Sequence, residues 1–177
     1  MGQGIVLLLD GEADATVRAC WQRLDDAGIP SLTTYTHGRH VPHISLVVAE
    51  RVEVGGWRGA LREGWFAGPP VSVQLGPVDG FPEGGWVFLG VDGLDRSAHR
   101  RLVASLGDDV TDPWEHYLPD RWVPHCTLAG GLDPDELDAA LEVLAGSWLP
   151  IADTIDSAAV IDAECGSIRR LLPVAHG

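Results

Sequence analysis

Residues 39–46 read R-H-V-P-H-I-S-L, and residues 121–128 read R-W-V-P-H-C-T-L. Six of the eight positions agree once Ser and Thr count as one type. The two stretches share an Arg, then Val-Pro-His, a hydroxyl residue two after the His, and a Leu. In an extended strand residues i and i+2 point to the same face. His43 and Ser45 are therefore expected to present an imidazole and a hydroxyl side by side, and His125 with Thr127 to do the same. Ile44, Leu46, Cys126 and Leu128 turn the other way, into a core. A single H-x-[S/T]-Leu carries little weight against average composition. Two copies inside a longer shared octet, in a chain with only 7 His, form a specific pattern.

Working outward, each octet sits at the same place in a repeated order of elements. Residues 4–9 form an apolar run that reads as a buried strand. A helix is expected over about 12–27, with Val17, Trp21, Leu24 and Ala27 on one face and Gly28-Ile29-Pro30 as its stop. The loop 31–42 leads into the motif strand 43–48. A helix over about 55–66 (Trp57, Leu61, Trp65) and an alternating strand over 71–76 follow. The order then restarts with a strand at 85–91, a helix on Leu94, Ala98, Leu102 and Leu106, the loop 108–124 and the motif strand 125–129. Asp133-Pro134-Asp135-Glu136 opens the next helix as cap, first-turn Pro and capping-box Glu. Gly146 is its expected stop. One strand from Pro150 to about 161 and another over 167–174 complete the reading. Gly4 to Gly85 is 81 residues, His43 to His125 is 82, Trp65 to Trp148 is 83 and Pro70 to Pro150 is 80. Near-constant offsets mean an internal duplication. The expectation is one domain over 1–177, built of two pseudo-symmetric lobes of about 1–82 and 83–177, between which strands are free to exchange. Two like lobes usually pack about a pseudo-twofold axis, and the two His-hydroxyl pairs then converge on one cleft.

The bulk properties limit what such a cleft can hold. At 177 residues, 45% apolar and 21% charged, the chain has a globular composition with room for a sizeable core. No apolar run approaches the roughly 20 residues of a membrane helix. The start MGQGIVLLLDGEAD lacks a basic n-region and reads as a strand rather than a signal peptide. Cys20, Cys126 and Cys165 are few, odd in number and without metal spacing, which favours a cytoplasmic location and no disulfide framework. The net charge is −14, and all 12 basic residues are Arg. So acidic a surface repels extended nucleic acid, which binds through many neutralised phosphates. It remains compatible with a small anion held by a few donors in a cleft.

Two imidazoles with ordinary pKa near 6.5 can serve as base and acid at neutral pH. In-line attack on phosphorus needs both, on opposite sides. The Ser45 and Thr127 hydroxyls can donate to the non-bridging phosphate oxygens as charge develops there. No metal or other cofactor is required by this set. With these residues the chain resembles the two-histidine (2H) phosphoesterases, which include the bacterial RNA 2′,3′-cyclic phosphodiesterases, also called 2′-5′ RNA ligases. The resemblance implies an α+β bilobal fold, with two antiparallel sheets flanking a central cleft and helices outside. It implies His43 and His125 as catalytic acid and base, and Ser45 and Thr127 as phosphate ligands. Family members commonly carry a basic residue shortly after the second motif; here the corresponding positions are Val48 and Gly130. Arg39 and Arg121, each four before its His, are candidate replacements for that charge, or else partners of the many surface acids.

The loops before the motifs carry Tyr35, His37 and His40, and Trp114, His116, Tyr117 and Trp122. They are expected to rim the cleft, where aromatic rings can stack on a base; Tyr117 and Trp122 are the candidate base ligands. His37, His40 and His43 also read H-x2-H-x2-H, but in an extended chain they point to different faces, so no metal site is assigned. Cys126, facing the core, is not read as a nucleophile. The expected activity is metal-independent hydrolysis of a cyclic or 2′-5′ phosphodiester in a nucleotide or short oligonucleotide, by a monomer, with no membrane partner. Two alternatives stand beside it: a nucleotide-binding module without chemistry, and a hydrolase of cyclic oligonucleotide signals.

Overall fold

The computed structural model describes residues 2–145 and 150–173. The N-terminal apolar run forms β1 (Gln3–Leu8), almost wholly buried. Helix α1 (Gly11–Asp26) turns Ala13, Val17, Cys20, Trp21 and Leu24 inward. Its end is closed by the Ile29 amide donating to the Leu24 carbonyl at 2.9 Å, the bond that follows a helix-stopping Gly. The motif strand β2 (His43–Val52) then pairs antiparallel with β1. Next come α2 (Arg58–Trp65) and β3 (Val71–Phe81). The order repeats with β4 (Trp86–Asp92), α3 (Arg96–Ala104), β5 (Val110–Pro113), the motif strand β6 (His125–Ala129) and α4 (Pro134–Leu144). Strands β7 (Ile151–Ile155), β8 (Ser157–Asp162) and β9 (Ile168–Pro173) follow. Gly146 and Trp148, the expected stop of α4 and the counterpart of Trp65, lie outside the described residues.

The strands form two antiparallel sheets, ordered β5-β2-β1-β8-β9 and β6-β4-β3-β7. The fold is α+β, as the resemblance implied. Each sheet draws on both halves of the chain: β3 pairs with β4, and β8 returns to pair with β1. Helices cross over in the same way. α1 packs on α4, β6 and β7, while α3 packs on α2 and its His99 reaches the β2 backbone.

Three expectations need correction. The single strand foreseen over 150–161 is broken at Asp156 into β7 and β8, which belong to different sheets. One strand cannot pair with both β3 and β1 when those lie in separate sheets, and the break lets the chain pass between them. Strand β3 runs past residue 76 to Phe81, because beyond a register shift at Gly76-Pro77 it continues its ladder with β4. The stretch 108–124 is more than a loop. It holds β5, an edge strand on β2, and the single helical turn Glu115–Tyr117. The capping box at α4 forms as expected, with the Asp133 carboxylate accepting from the Glu136 amide at 2.9 Å and the Glu136 carboxylate from the Asp133 amide at 3.0 Å.

Candidate active site

Both motif strands carry the same irregularity. In β2, Val47 lies opposite Ile5 and Ser45 opposite Val6, leaving Leu46 without a partner across the ladder. In β6, Ala129 lies opposite Val87 and Thr127 opposite Phe88, leaving Leu128 likewise unpaired. Each motif Leu is thus the extra residue of a β-bulge, a feature that re-aims nearby side chains. The bulges free two successive carbonyls on the outer side of each strand, and these must find donors. The Ser45 carbonyl accepts from Trp122 Nε1 at 3.0 Å and the Leu46 carbonyl from His99 Nε2 at 2.8 Å. The Thr127 carbonyl accepts from Trp21 Nε1 at 3.3 Å and the Leu128 carbonyl from the Leu32 amide at 3.1 Å. Each motif strand is therefore held by groups from the other half of the chain.

The two histidines are oriented identically. His43 Nδ1 lies 2.7 Å from the Val41 carbonyl, and His125 Nδ1 lies 2.7 Å from the Val123 carbonyl. A carbonyl can only accept, so Nδ1–H donates and each neutral ring keeps the Nε2 lone pair for other work. Burial lowers the pKa of His43, the Val41 carbonyl works against that, and the nearby His125 lowers it further. Burial lowers His125 as well, against the pull of the Val123 carbonyl. The His125 ring meets Phe81 and Phe88 at centroid distances of 5.5 and 5.3 Å. His43 and His125 thus come within electrostatic reach of one another across the cleft, and β2 meets β6 there.

A cavity of about 320 Å³ opens beside His125 and Thr127. Phe81, Trp86, Trp114, Tyr117 and Val123 give it apolar walls, and Glu83, His116 and Arg121 stand among them. Tyr117 also contacts the Ser45 side chain by a hydrogen bond, and burial raises its phenol pKa. It therefore bridges the two motifs. Arg121 lines the cavity while ion-paired with Glu115.

Two sequence expectations, those for Trp122 and Arg39, are corrected here. Trp122 does not rim the cleft: it is buried, stacks on His99 at 3.8 Å, and spends its indole N–H on the Ser45 carbonyl. It shapes the motif strand rather than offering a face to a base. Arg39 is turned away from the cavity, its guanidinium donating to the Cys165 carbonyl at 2.5 Å. The rings of His37 and His40 lie 4.2 Å apart, tilted by 31°, and burial with the neighbouring His37 and His43 lowers His40 to about 4. Cys126 is buried, and burial pushes its thiol up to about 12, away from nucleophilic use. Sequence reasoning missed Phe81, Trp86 and Phe88. The signal was present: Leu8 faces His43 and Gly90 faces His125, so the strands match at the same spacing of 82 as the histidines, one more than Gly4 to Gly85 suggests. That register sets Trp86 and Phe88 on the same face as the motif pair.

Gly130, where family members commonly carry a basic residue, lies under the Trp86 indole, and a Cβ there would collide with the ring. An aromatic plane occupies the space a cation would need.

One motif strand sets His125 and Thr127 against the cavity, while Tyr117 links that cavity to Ser45 and His43 lies within electrostatic reach of His125, an arrangement that fits the two-histidine phosphoesterases. The family model of the 2′-5′ RNA ligase superfamily matches residues 12–166. The chain belongs to this 2H phosphoesterase superfamily, and with it to a class of phosphodiester-cleaving enzymes. Among solved structures, a phosphoesterase crystal structure shares the fold at a TM-score of 0.55 and 14% identity, covering 97% of this chain and 95% of that one. The structure of Kluyveromyces marxianus Usb1 is a more distant likeness, with a TM-score of 0.43 and 10% identity over 96% of this chain and 98% of that one. No curated protein matches the chain. No helix among the described residues is long and apolar enough to cross a membrane.

Proposed function

We propose that the protein hydrolyses a 2′,3′-cyclic or 2′-5′ phosphodiester of a nucleotide or short oligonucleotide by two-histidine acid/base catalysis. The observation that carries this reading is the matched orientation of the histidines, each with Nδ1–H bound to a carbonyl two residues earlier. Both rings then offer Nε2 to one phosphate. His125 takes a proton from water as the water oxygen bonds to phosphorus. The P–O bond to the ribose oxygen breaks, and His43 gives that oxygen its proton. Thr127 and Ser45 donate to the non-bridging oxygens, whose charge grows towards the transition state. Burial keeps both imidazoles neutral in the free site. A bound phosphate anion raises the pKa of the ring beside it, which supplies the protonated acid when substrate arrives.

Product formation from a 2′,3′-cyclic mononucleotide, a 2′-5′ dinucleotide and a cyclic dinucleotide, with EDTA present, tests the reading. Turnover of either of the first two that disappears in His43→Ala and in His125→Ala supports it. Binding of all three without turnover would instead favour a nucleotide-binding module.

A further inference from the structure

The duplication lets the two sides of the cleft be compared position by position. Across the ladder from the first motif stand Leu8 and Val6, and across from the second stand Gly90 and Phe88. One position further out are Gly4 on the first side and Trp86 on the second. One floor is aliphatic and the other aromatic, with Phe81 stacked on Phe88 at 4.2 Å.

The floors are also covered differently. Val6, Leu8, Ala159 and Ile161 form a separate buried cluster, and Val41 packs over it. The loop that brings Val41 there is fastened at two points to the turn after β8. His37 rests on Gly166, where any Cβ would collide with the ring, and Arg39 donates to the Cys165 carbonyl. That turn is itself fixed by Asp162, whose carboxylate accepts from the amides of Glu164 at 2.9 Å and Cys165 at 3.0 Å. On the other side Val123, the counterpart of Val41, is 45% exposed and lines the cavity with Trp86 and Phe81.

We infer that the cleft accepts one planar ring, on the aromatic side next to His125, and that the latched loop denies a second ring on the side of His43. Resting on the function proposed above, this selects the cyclic phosphodiester of a single nucleoside over a 2′-5′ dinucleotide. A cavity of about 320 Å³ lies at the low end of small-ligand sites, enough for one base and its sugar.

The test compares kcat/KM for a nucleoside 2′,3′-cyclic phosphate and a 2′-5′ dinucleoside monophosphate, in wild type, Arg39→Ala, Trp86→Leu and Trp114→Ala. Leu at 86 keeps a cover over Gly130 and removes only the π-face, and circular dichroism checks that the variants fold. The expected result is a preference for the cyclic substrate of roughly tenfold or more, narrowed in Arg39→Ala. Trp86→Leu is expected to raise KM about fivefold or more with little change in kcat, since stacking holds the ring and not the phosphate. A dinucleotide hydrolysed as well as the cyclic substrate, or an unchanged KM in both Trp variants, would overturn the inference. Calorimetric binding of a nucleoside 3′-monophosphate and of the dinucleotide to the His43→Ala/His125→Ala protein separates the two readings. If wild type hydrolyses nothing while the mononucleotide binds more tightly and depends on Trp86, the hydrolase reading falls and the single-ring site stands. Equal binding of both removes the inference, and binding of neither, with no hydrolysis by wild type, removes both.

Discussion

At the scale of single residues, the roles proposed for His43 and His125 and the lowered pKa values of the histidines each carry a prediction. A positioned acid or base contributes roughly 10² to 10⁴ in rate, so His43→Ala and His125→Ala should each lower kcat by about that factor. Neither should unfold the protein, because both residues are only half-buried and their strands are held through backbone carbonyls. Steady-state kinetics beside a urea titration checks both halves of the statement, and a variant retaining wild-type kcat would exclude its residue from the chemistry. Stability should also follow the histidines. His40, His43, His99 and His125 all have lowered pKa values, His40 to about 4. An unfolded chain takes up these protons near pH 6.5 while the folded one resists, so stability is fully present above about 6.5 and falls as the pH drops towards 4. The urea midpoint should be lower at pH 5 than at pH 7.5; an equal or higher midpoint at pH 5 would contradict it.

At the scale of elements, the bulge in each motif strand is where sequence becomes site geometry. Trp122→Phe keeps the stack on His99 but leaves the Ser45 carbonyl without its indole donor. Leaving a buried acceptor unmet costs about 1–3 kcal/mol, and kcat should fall with it because Ser45 shares the strand with His43. Asp133→Ala provides the contrast. It removes the cap of α4 at a cost of about 1 kcal/mol and should leave kcat unchanged, since α4 contributes no side chain to the cavity. Thermal melts and kcat measured together distinguish the two, and a Trp122→Phe variant that loses stability without losing kcat would make the bulge merely structural. Why some elements can be read from sequence and others cannot follows from the same physics. From His43 to Leu46 and from His125 to Leu128 the motifs alternate inside and out as the i, i+2 rule requires, although the bulge at each Leu leaves no such mark, and α4 announces itself by Asp133, Pro134 and Glu136. Strand β5, Val-Thr-Asp-Pro, has no pattern of its own and exists only because the edge of β2 needs pairing. The break at Asp156 is set by which sheet each partner strand occupies, a property of the assembled fold. Trp122 misled for a related reason: sequence placed it beside the site, but only packing could show that its ring faces His99.

At the scale of the whole molecule, charge opposes the substrate that the site is built to take. The chain carries a net charge of −14, while the cavity holds one arginine, Arg121, already paired with Glu115, and one acid, Glu83. An approaching phosphodiester anion is therefore repelled at long range and recognised at short range by the imidazoles, hydroxyls and aromatic faces of the site. Salt weakens the first effect and hardly touches the second, because the Debye length shrinks from about 30 Å at 0.01 M to about 8 Å at 0.15 M. For a cyclic mononucleotide, kcat/KM should rise severalfold over that range while kcat stays nearly constant, since screening acts on encounter rather than on the bound complex. A protein that gripped extended nucleic acid would behave in the opposite way, losing affinity steeply as released counterions oppose binding. Initial rates at low substrate across a salt series decide between them. A rise with salt fits an acidic enzyme whose selectivity resides in its cavity, and a steep fall would mean that some cationic surface, rather than the cavity beside His125, governs what it binds.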